Sequence, residues 1–201
     1  MKLYQQGPTP SCRRVSIFMK LAGIEVERIE LNLKAGDNLD AGYVSRSINA
    51  KVPMLELDDG ETISESVAIC RYFDALQGTG LFGESALEKA KVEMWQRLLE
   101  WQGLIPAFQA FRNLTGFYSD RENCVHAWGE ESKARITMFL PMLDKQLAQH
   151  PFVAGQALSI ADITGFIFVW FTQARLDINV TQAFPNIARW YNTLSEMDAF
   201  Q

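Results

Sequence analysis

The segment Gln77-Gly-Thr-Gly-Leu-Phe-Gly83 separates two stretches of chain whose hydrophobic patterns differ in kind. Before it, short runs with strand spacing alternate with runs of helical spacing. After it, no convincing strand run recurs and apolar residues return at helical intervals. A chain divided in this way is expected to form an α/β first domain and an all-α second domain, with residues 1–77 in the first, 78–86 as linker and 87–201 in the second. All five tryptophans lie beyond this segment, at 95, 101, 128, 170 and 190, which fits two separate cores.

In the first part, Lys2–Gln5, Val26–Leu31 and Met54–Leu57 read as strands. Val15, Phe18, Met19 and Ala22 recur at helical spacing after Pro10, and Gly23 closes that helix. Asp58-Asp59-Gly60 forms a hairpin turn into Glu61–Ile63, and Ser64 is the expected N-cap of a helix over Glu65–Leu76. In the second part, a long helix runs from Ala86 to about Phe111 with a kink at Pro106. Further helices are expected over Ser132–Leu147, Ile160 to about Phe171, and from Pro185 through Trp190 and Leu194. Ser159 and Asp162 have the spacing of a capping box, with Leu158 and Ile163 as its hydrophobic staple, which gives Asp162 a structural role.

Of the 201 residues, 48% are hydrophobic and 21% charged, enough apolar content for folded cores. The net charge of −5 is shared, with nine bases and eleven acids up to residue 78 and ten bases and thirteen acids beyond. That balance argues against nucleic acid or an anionic membrane as partner. The N-terminal residues turn polar at once and no apolar run approaches a bilayer span, so neither signal peptide nor membrane anchor is expected. Three cysteines, Cys12, Cys70 and Cys124, with no CxxC pair, suit a reducing cytoplasm and support neither a disulfide framework nor a zinc knuckle.

Most conventional catalytic sets are excluded by supply. His126 and His150 have no neighbouring ligand spacing, so no metal site is expected, and the chain lacks GxxxxGK[ST] and GxSxG, while the GxGxxG spacing of Gly78–Gly83 follows a helical run rather than a strand. What remains is a binding site built from helix N-termini. Gly7-Pro8-Thr9-Pro10-Ser11-Cys12 enters the first helix with hydroxyl residues and unpaired amides suited to an anion or a thiolate, Thr9 and Ser11 being the donors. The same residues can also serve as a plain helix cap. Lys51-Val52-Pro53-Met54 places a proline at the start of a strand, where a cis bond would leave the backbone of the preceding residue for an extended ligand. At the last helix of the first part, Ser66 can hold a carboxylate and Glu65 an ammonium group, or the pair can be an ordinary first turn.

Thr-Pro-Ser-Cys-Arg-Arg-Val at 9–15, Asn-Ala-Lys-Val-Pro-Met-Leu at 49–55, Ser-Glu-Ser at 64–66 and the Ser159/Asp162 box occur together in order. With them the chain resembles the cytosolic glutathione S-transferase superfamily over nearly its whole length. The resemblance implies a thioredoxin-like βαβαββα domain followed by an all-helical domain, assembled as a homodimer in the cytoplasm. It implies glutathione as co-substrate and no metal. Thr9 falls where theta- and zeta-like members place a serine and beta-class members a cysteine. The Thr-Pro-polar sequence is similar to bacterial nu-class members, in which this threonine and the residue at the position of Ser11 face the glutathione sulfur.

By the same resemblance Val52 pairs its backbone with the cysteinyl part beside Pro53, Glu65 and Ser66 take the γ-glutamyl ammonium and carboxylate, and Lys51 and Asn38 lie near the glycyl end. Phe108, Phe111, Arg112 and Phe117 are the expected electrophile pocket. Cys12 lies three residues past Thr9, where its side chain should turn into the helix, so it is expected to be structural. The expected activity is transfer of glutathione to a small electrophile, with glutathione peroxidase activity beside it. The alternatives are a nu-like glutathione-dependent disulfide reductase and a non-catalytic interaction protein that keeps the fold.

Overall fold

In the computed structural model, which describes residues 1–201, Met1–Gly80 and Leu81–Gln201 each pack around a core of their own. The first unit contains β1 (Lys2–Gln5), α1 (Pro10–Ala22), β2 (Glu27–Glu30), α2 (Ala41–Val44), β3 (Met54–Glu56), β4 (Thr62–Ser64) and α3 (Ser66–Gln77). Its sheet has the order β2-β1-β3-β4, parallel between β1 and β2 and antiparallel elsewhere. This is a thioredoxin-like βαβαββα arrangement.

Alternation along the strands divides the core between the two faces. Leu3 and Leu55 are paired and fully buried on the face that α3 packs against, beside α1 with Val15, Phe18, Met19, Ile69 and Phe73 buried. Tyr4 and Met54 point to the other face, where Tyr43 of α2 covers them and Ile29, Leu31 and Val52 fill the rim. Each such fully buried aliphatic or aromatic side chain contributes about 1.5–3 kcal/mol relative to exposure. The α2 segment is also tied to the sheet by Arg46, which donates to the Tyr4 hydroxyl (2.7 Å) and lies over its ring.

The last helix of this unit begins differently from expectation. Ser64 stays in the ladder, paired with Met54, and the N-cap position falls to Glu65, whose φ of 70° lies in the left-handed region. The chain turns from strand to helix within this one residue.

The second unit comprises α4 (Ala86–Leu98), α5 (Ile105–Thr115), α6 (His126–Gln149), α7 (Ile160–Leu176), α8 (Val180–Ala183) and α9 (Pro185–Ser195). A capping box between Ser85 and Glu88 starts α4. The expected single kinked helix over 86–111 is instead two helices joined by a π-helical turn at Leu99–Leu104. Pro106 cannot donate to the carbonyl four residues before it, and its ring would strike that carbonyl in a regular helix; the wider turn absorbs both problems. Gly103 in this turn lies against the Phe168 ring, where an added Cβ would come within 3.2 Å of it.

Helix α7 is the centre of the unit, with nearly every residue from Ile160 to Phe171 buried. Asp162 anchors it. Its Oδ1 accepts from the Val153 amide (2.8 Å) and the Trp190 indole (2.9 Å), and its Oδ2 accepts from the Ser159 amide and hydroxyl (both 2.9 Å). Complete burial pushes the carboxyl above the usual carboxylate range, against the pull of these donors. No helix of the chain is long and apolar enough to cross a membrane.

Candidate functional site

Tyr4, Met54 and Ser64 are direct neighbours across β1, β3 and β4. Because these strands alternate in direction, the chain leaving β1, the chain entering β3 and the chain leaving β4 emerge at the same edge of the sheet. The three segments singled out in the sequence therefore share one edge of the first unit.

The first segment is Gln6–Cys12. Thr9 is the N-cap of α1 without capping through its side chain; its hydroxyl and its amide both donate to the Gln6 carbonyl, at 2.9 and 3.1 Å. Pro10 has no N–H, and the first helical bond is closed by the Arg13 amide onto Thr9 (2.8 Å). The Ser11 and Cys12 amides are thus the orphan donors of the helix, at its positive end. The Ser11 side chain is half-buried. The Gly7 amide, held by Glu30 Oε2 at 2.9 Å, ties the loop to β2. The Cys12 thiol is fully buried beneath Thr9, and burial raises its pKa.

The second segment is Asn49–Pro53. The Val52–Pro53 bond is cis, and Ala50 has a φ of 52°. Side chains hold this loop from several directions: the Tyr43 hydroxyl donates to the Lys51 carbonyl (2.6 Å), Asn38 Nδ2 to the Ala50 carbonyl (2.8 Å), and the Lys51 amide to Asn49 Oδ1 (3.1 Å). Asn38 Oδ1 is buried without a partner. Lys51 is exposed and Val52 lies just outside the ladder that starts at Met54.

The third segment is Ser64–Ser66. A non-glycine residue in the left-handed region costs about 1–3 kcal/mol and persists only where its surroundings fix it. At Glu65 the fixing comes from the strand on one side and α3 on the other, and the side chain meets Asn49, whose Nδ2 donates to Glu65 Oε1 at 3.1 Å. Ser66, the first residue of α3, accepts a hydrogen bond from Arg14 Nη1 at 2.8 Å, and both side chains are buried.

Thr9, Ser11, Lys51, Val52, Pro53, Glu65 and Ser66 are thereby brought to one edge, with Asn38 behind the second segment. Sequence reasoning passed over Arg14 and Asn49, which join the segments. Arg14 carries a usable signal, since a charged residue at position 14 sits on the stripe otherwise made by Val15, Phe18 and Met19. Asn49 carries none, because its role depends on a loop conformation.

The other expected residues lie in the second unit. Phe108 and Phe111 each meet Phe171 edge-on (5.0 and 5.5 Å between centroids), and Phe117 packs on Phe111 (5.3 Å) and Tyr118 (4.8 Å). Arg112 pairs with Glu122 (2.8 Å) and lies over the Tyr118 ring. Phe117 remains 60% exposed, so the cluster offers an aromatic surface rather than a sealed core. No group of three or more His, Cys, Asp or Glu side chains is arranged to hold a metal ion.

A family model described as glutathione S-transferase, N-terminal domain, matches residues 9–76, and one described as glutathione S-transferase, C-terminal domain, matches 117–198. Glutathione S-transferase 2 of Saccharomyces cerevisiae is 30% identical over 201 residues, covering 94% of this chain and 82% of its own. A crystal structure of a glutathione S-transferase of class Gtt2 from Vibrio parahaemolyticus is 55% identical, covers 100% of this chain and 96% of its own, and superposes with a TM-score of 0.90. The crystal structure of Gtt2 from Saccharomyces cerevisiae is 28% identical with a TM-score of 0.92, covering 100% and 98%. With these matches running through both units, the chain belongs to the cytosolic glutathione S-transferase superfamily.

Proposed function

We propose that the protein binds glutathione at the sheet edge of its first unit, stabilises the thiolate there and transfers the sulfur to a small electrophile. The observation that carries this reading is the convergence of three unlike donors and acceptors on one edge. They are the orphan amides opening α1, the backbone of Val52 beside cis-Pro53, and the Glu65/Ser66 pair opening α3. A γ-glutamyl group needs an acceptor for its ammonium and donors for its carboxylate, and Glu65 and Ser66 supply them. Val52 pairs with the cysteinyl backbone and Lys51 attracts the glycyl carboxylate, while Asn38 acts by bracing Ala50.

The sulfur then lies at the start of α1. The Thr9 hydroxyl is already bonded to Gln6, which favours Ser11 and the two orphan amides as the groups that receive the thiolate. A hydrogen bond to a charged group contributes about 1.5–3 kcal/mol, so one such bond lowers the thiol pKa from about 8.5 by roughly one to two units. No general base is required. The thiolate attacks the electrophilic carbon, a carbon–sulfur bond forms, and the leaving group departs with its electron pair. Within the second unit, Phe108, Phe111 and Phe117 form an apolar aromatic face, with Arg112 fixed by Glu122. The buried thiols of Cys12 and Cys70 favour a reactive sulfur that belongs to the ligand.

The reading extends to a homodimer. Leu87, Met94 and Trp101 recur at seven-residue intervals and are 64%, 50% and 66% exposed, an apolar row of the kind that self-association covers.

The test is a spectrophotometric titration of bound glutathione through its thiolate absorbance. The expected result is a thiol pKa one to two units below that of free glutathione, returning toward the free value in Ser11→Ala. An unshifted pKa in the wild type overturns the thiolate role.

A further inference from the structure

Arg14 is only 5% exposed and lies on the buried stripe of α1, where an apolar residue would pack without cost. Burying a guanidinium carries a desolvation penalty of several kcal/mol unless its hydrogen bonds compensate. One of those bonds crosses from α1 to α3 and ends on the Ser66 hydroxyl, at 2.8 Å.

A serine hydroxyl can donate or accept, and a rotating hydroxyl presents either character to a ligand. A guanidinium can only donate. The bond from Arg14 therefore occupies a lone pair of Ser66 and directs the hydroxyl hydrogen away from the guanidinium, leaving it to donate to another partner. Ser66 opens a helix of 12 residues and is itself 5% exposed.

We propose that Arg14 is a positioning residue for the ligand site: it makes Ser66 an obligatory hydrogen-bond donor, aimed at the γ-glutamyl carboxylate of glutathione. The inference rests on the proposed function and adds the device that turns an ambiguous hydroxyl into a carboxylate receptor. It assigns Arg14 to the glutamyl end rather than to the sulfur. Its loss therefore acts on the binding of glutathione and leaves the chemical step alone.

A double-mutant cycle by calorimetric titration with glutathione decides the matter. Arg14→Met is expected to weaken binding about tenfold in the wild-type background and less than twofold in the Ser66→Ala background. Arg14→Lys, which is also a pure donor, stays within about threefold of the wild type. In steady-state assays with glutathione and 1-chloro-2,4-dinitrobenzene, the loss in Arg14→Met appears in KM for glutathione, with kcat at saturation within twofold. If Arg14→Met fails to fold, Arg14→Gln takes its place in the cycle.

Equal losses in both backgrounds overturn the inference, as does a loss confined to kcat or an unchanged affinity in Arg14→Met. Wild-type protein that binds no glutathione overturns the proposed function and this inference together, and is told apart by the absence of any heat before a variant is made.

Discussion

The indole of Trp190 donates to Asp162 at 2.9 Å across 28 residues of sequence, joining the start of α7 to the middle of α9. With Val153 and Ser159 on the same carboxylate, Asp162 holds four donors at the centre of the second unit. Asp162→Ala leaves three buried N–H groups without an acceptor. Each such orphan costs about 1–3 kcal/mol, so the variant is expected to lose about 3 kcal/mol or more. Trp190→Phe, which removes one donor and keeps most of the ring volume, should lose about 1–2 kcal/mol. Denaturant unfolding followed by circular dichroism measures both. Near-equal stability of Asp162→Ala and wild type would remove Asp162 as the anchor.

The cysteines give a prediction about reactivity. Burial raises the thiol of Cys12 and pushes that of Cys70 up to about 12, and both are fully enclosed, whereas Cys124 is half-buried. A raised pKa leaves less thiolate at a given pH, and enclosure blocks the reagent. At pH 8, Ellman's reagent should titrate one thiol quickly in the native protein and three after denaturation. Cys124→Ser should abolish the fast phase. Rapid modification of Cys12 would instead bring a protein thiol into the chemistry.

Asn49 links Lys51 to Glu65. Asn49→Ala is expected to raise the dissociation constant for glutathione about three- to tenfold, because it frees both the loop before Pro53 and the carboxylate meant for the ammonium group. Glu65→Gln, which keeps the shape and loses the charge, should cost more than Asn49→Ala. The reverse order would place the ammonium group elsewhere.

The division into an α/β and an all-helical unit was readable because strand and helix periods differ and the glycines at 78, 80 and 83 mark the change. Helix α1, with its apolar period, and α7, a nearly continuous apolar run behind a capping box, were readable too. Where packing rather than pattern decides, the reading missed. The first turn of α6 begins with His126, Ala127 and Trp128, all exposed and without a capping side chain, so nothing announced it. The π-helical turn ahead of Pro106 is a response to a steric clash and has no composition of its own. At Glu65, strand pairing of Ser64 overrides the capping preference of serine. The candidate site residues come from motifs; of the side chains that brace them, Arg14 shows in the sequence as a charge on an apolar stripe, whereas Tyr43 and Asn49 act through contacts that no spacing encodes.

The apolar row on α4 and the following turn predicts the state of assembly. Wild-type protein should sediment as a dimer, and Met94→Glu combined with Trp101→Glu should shift it toward monomer while leaving the helical signal unchanged. A monomeric wild type, or a double variant that remains fully dimeric, would show that this face is not the interface.

Isothermal titration with glutathione tests most directly whether the shared edge of the first unit is a glutathione site. One molecule should bind per chain, and Ser66→Ala should weaken binding at least about tenfold, the loss of one hydrogen bond to a charged group. Ser11→Ala should retain binding within a few-fold while losing turnover. A wild-type protein that releases no heat with glutathione, at concentrations where Ser66→Ala and wild type cannot be distinguished, would contradict the account.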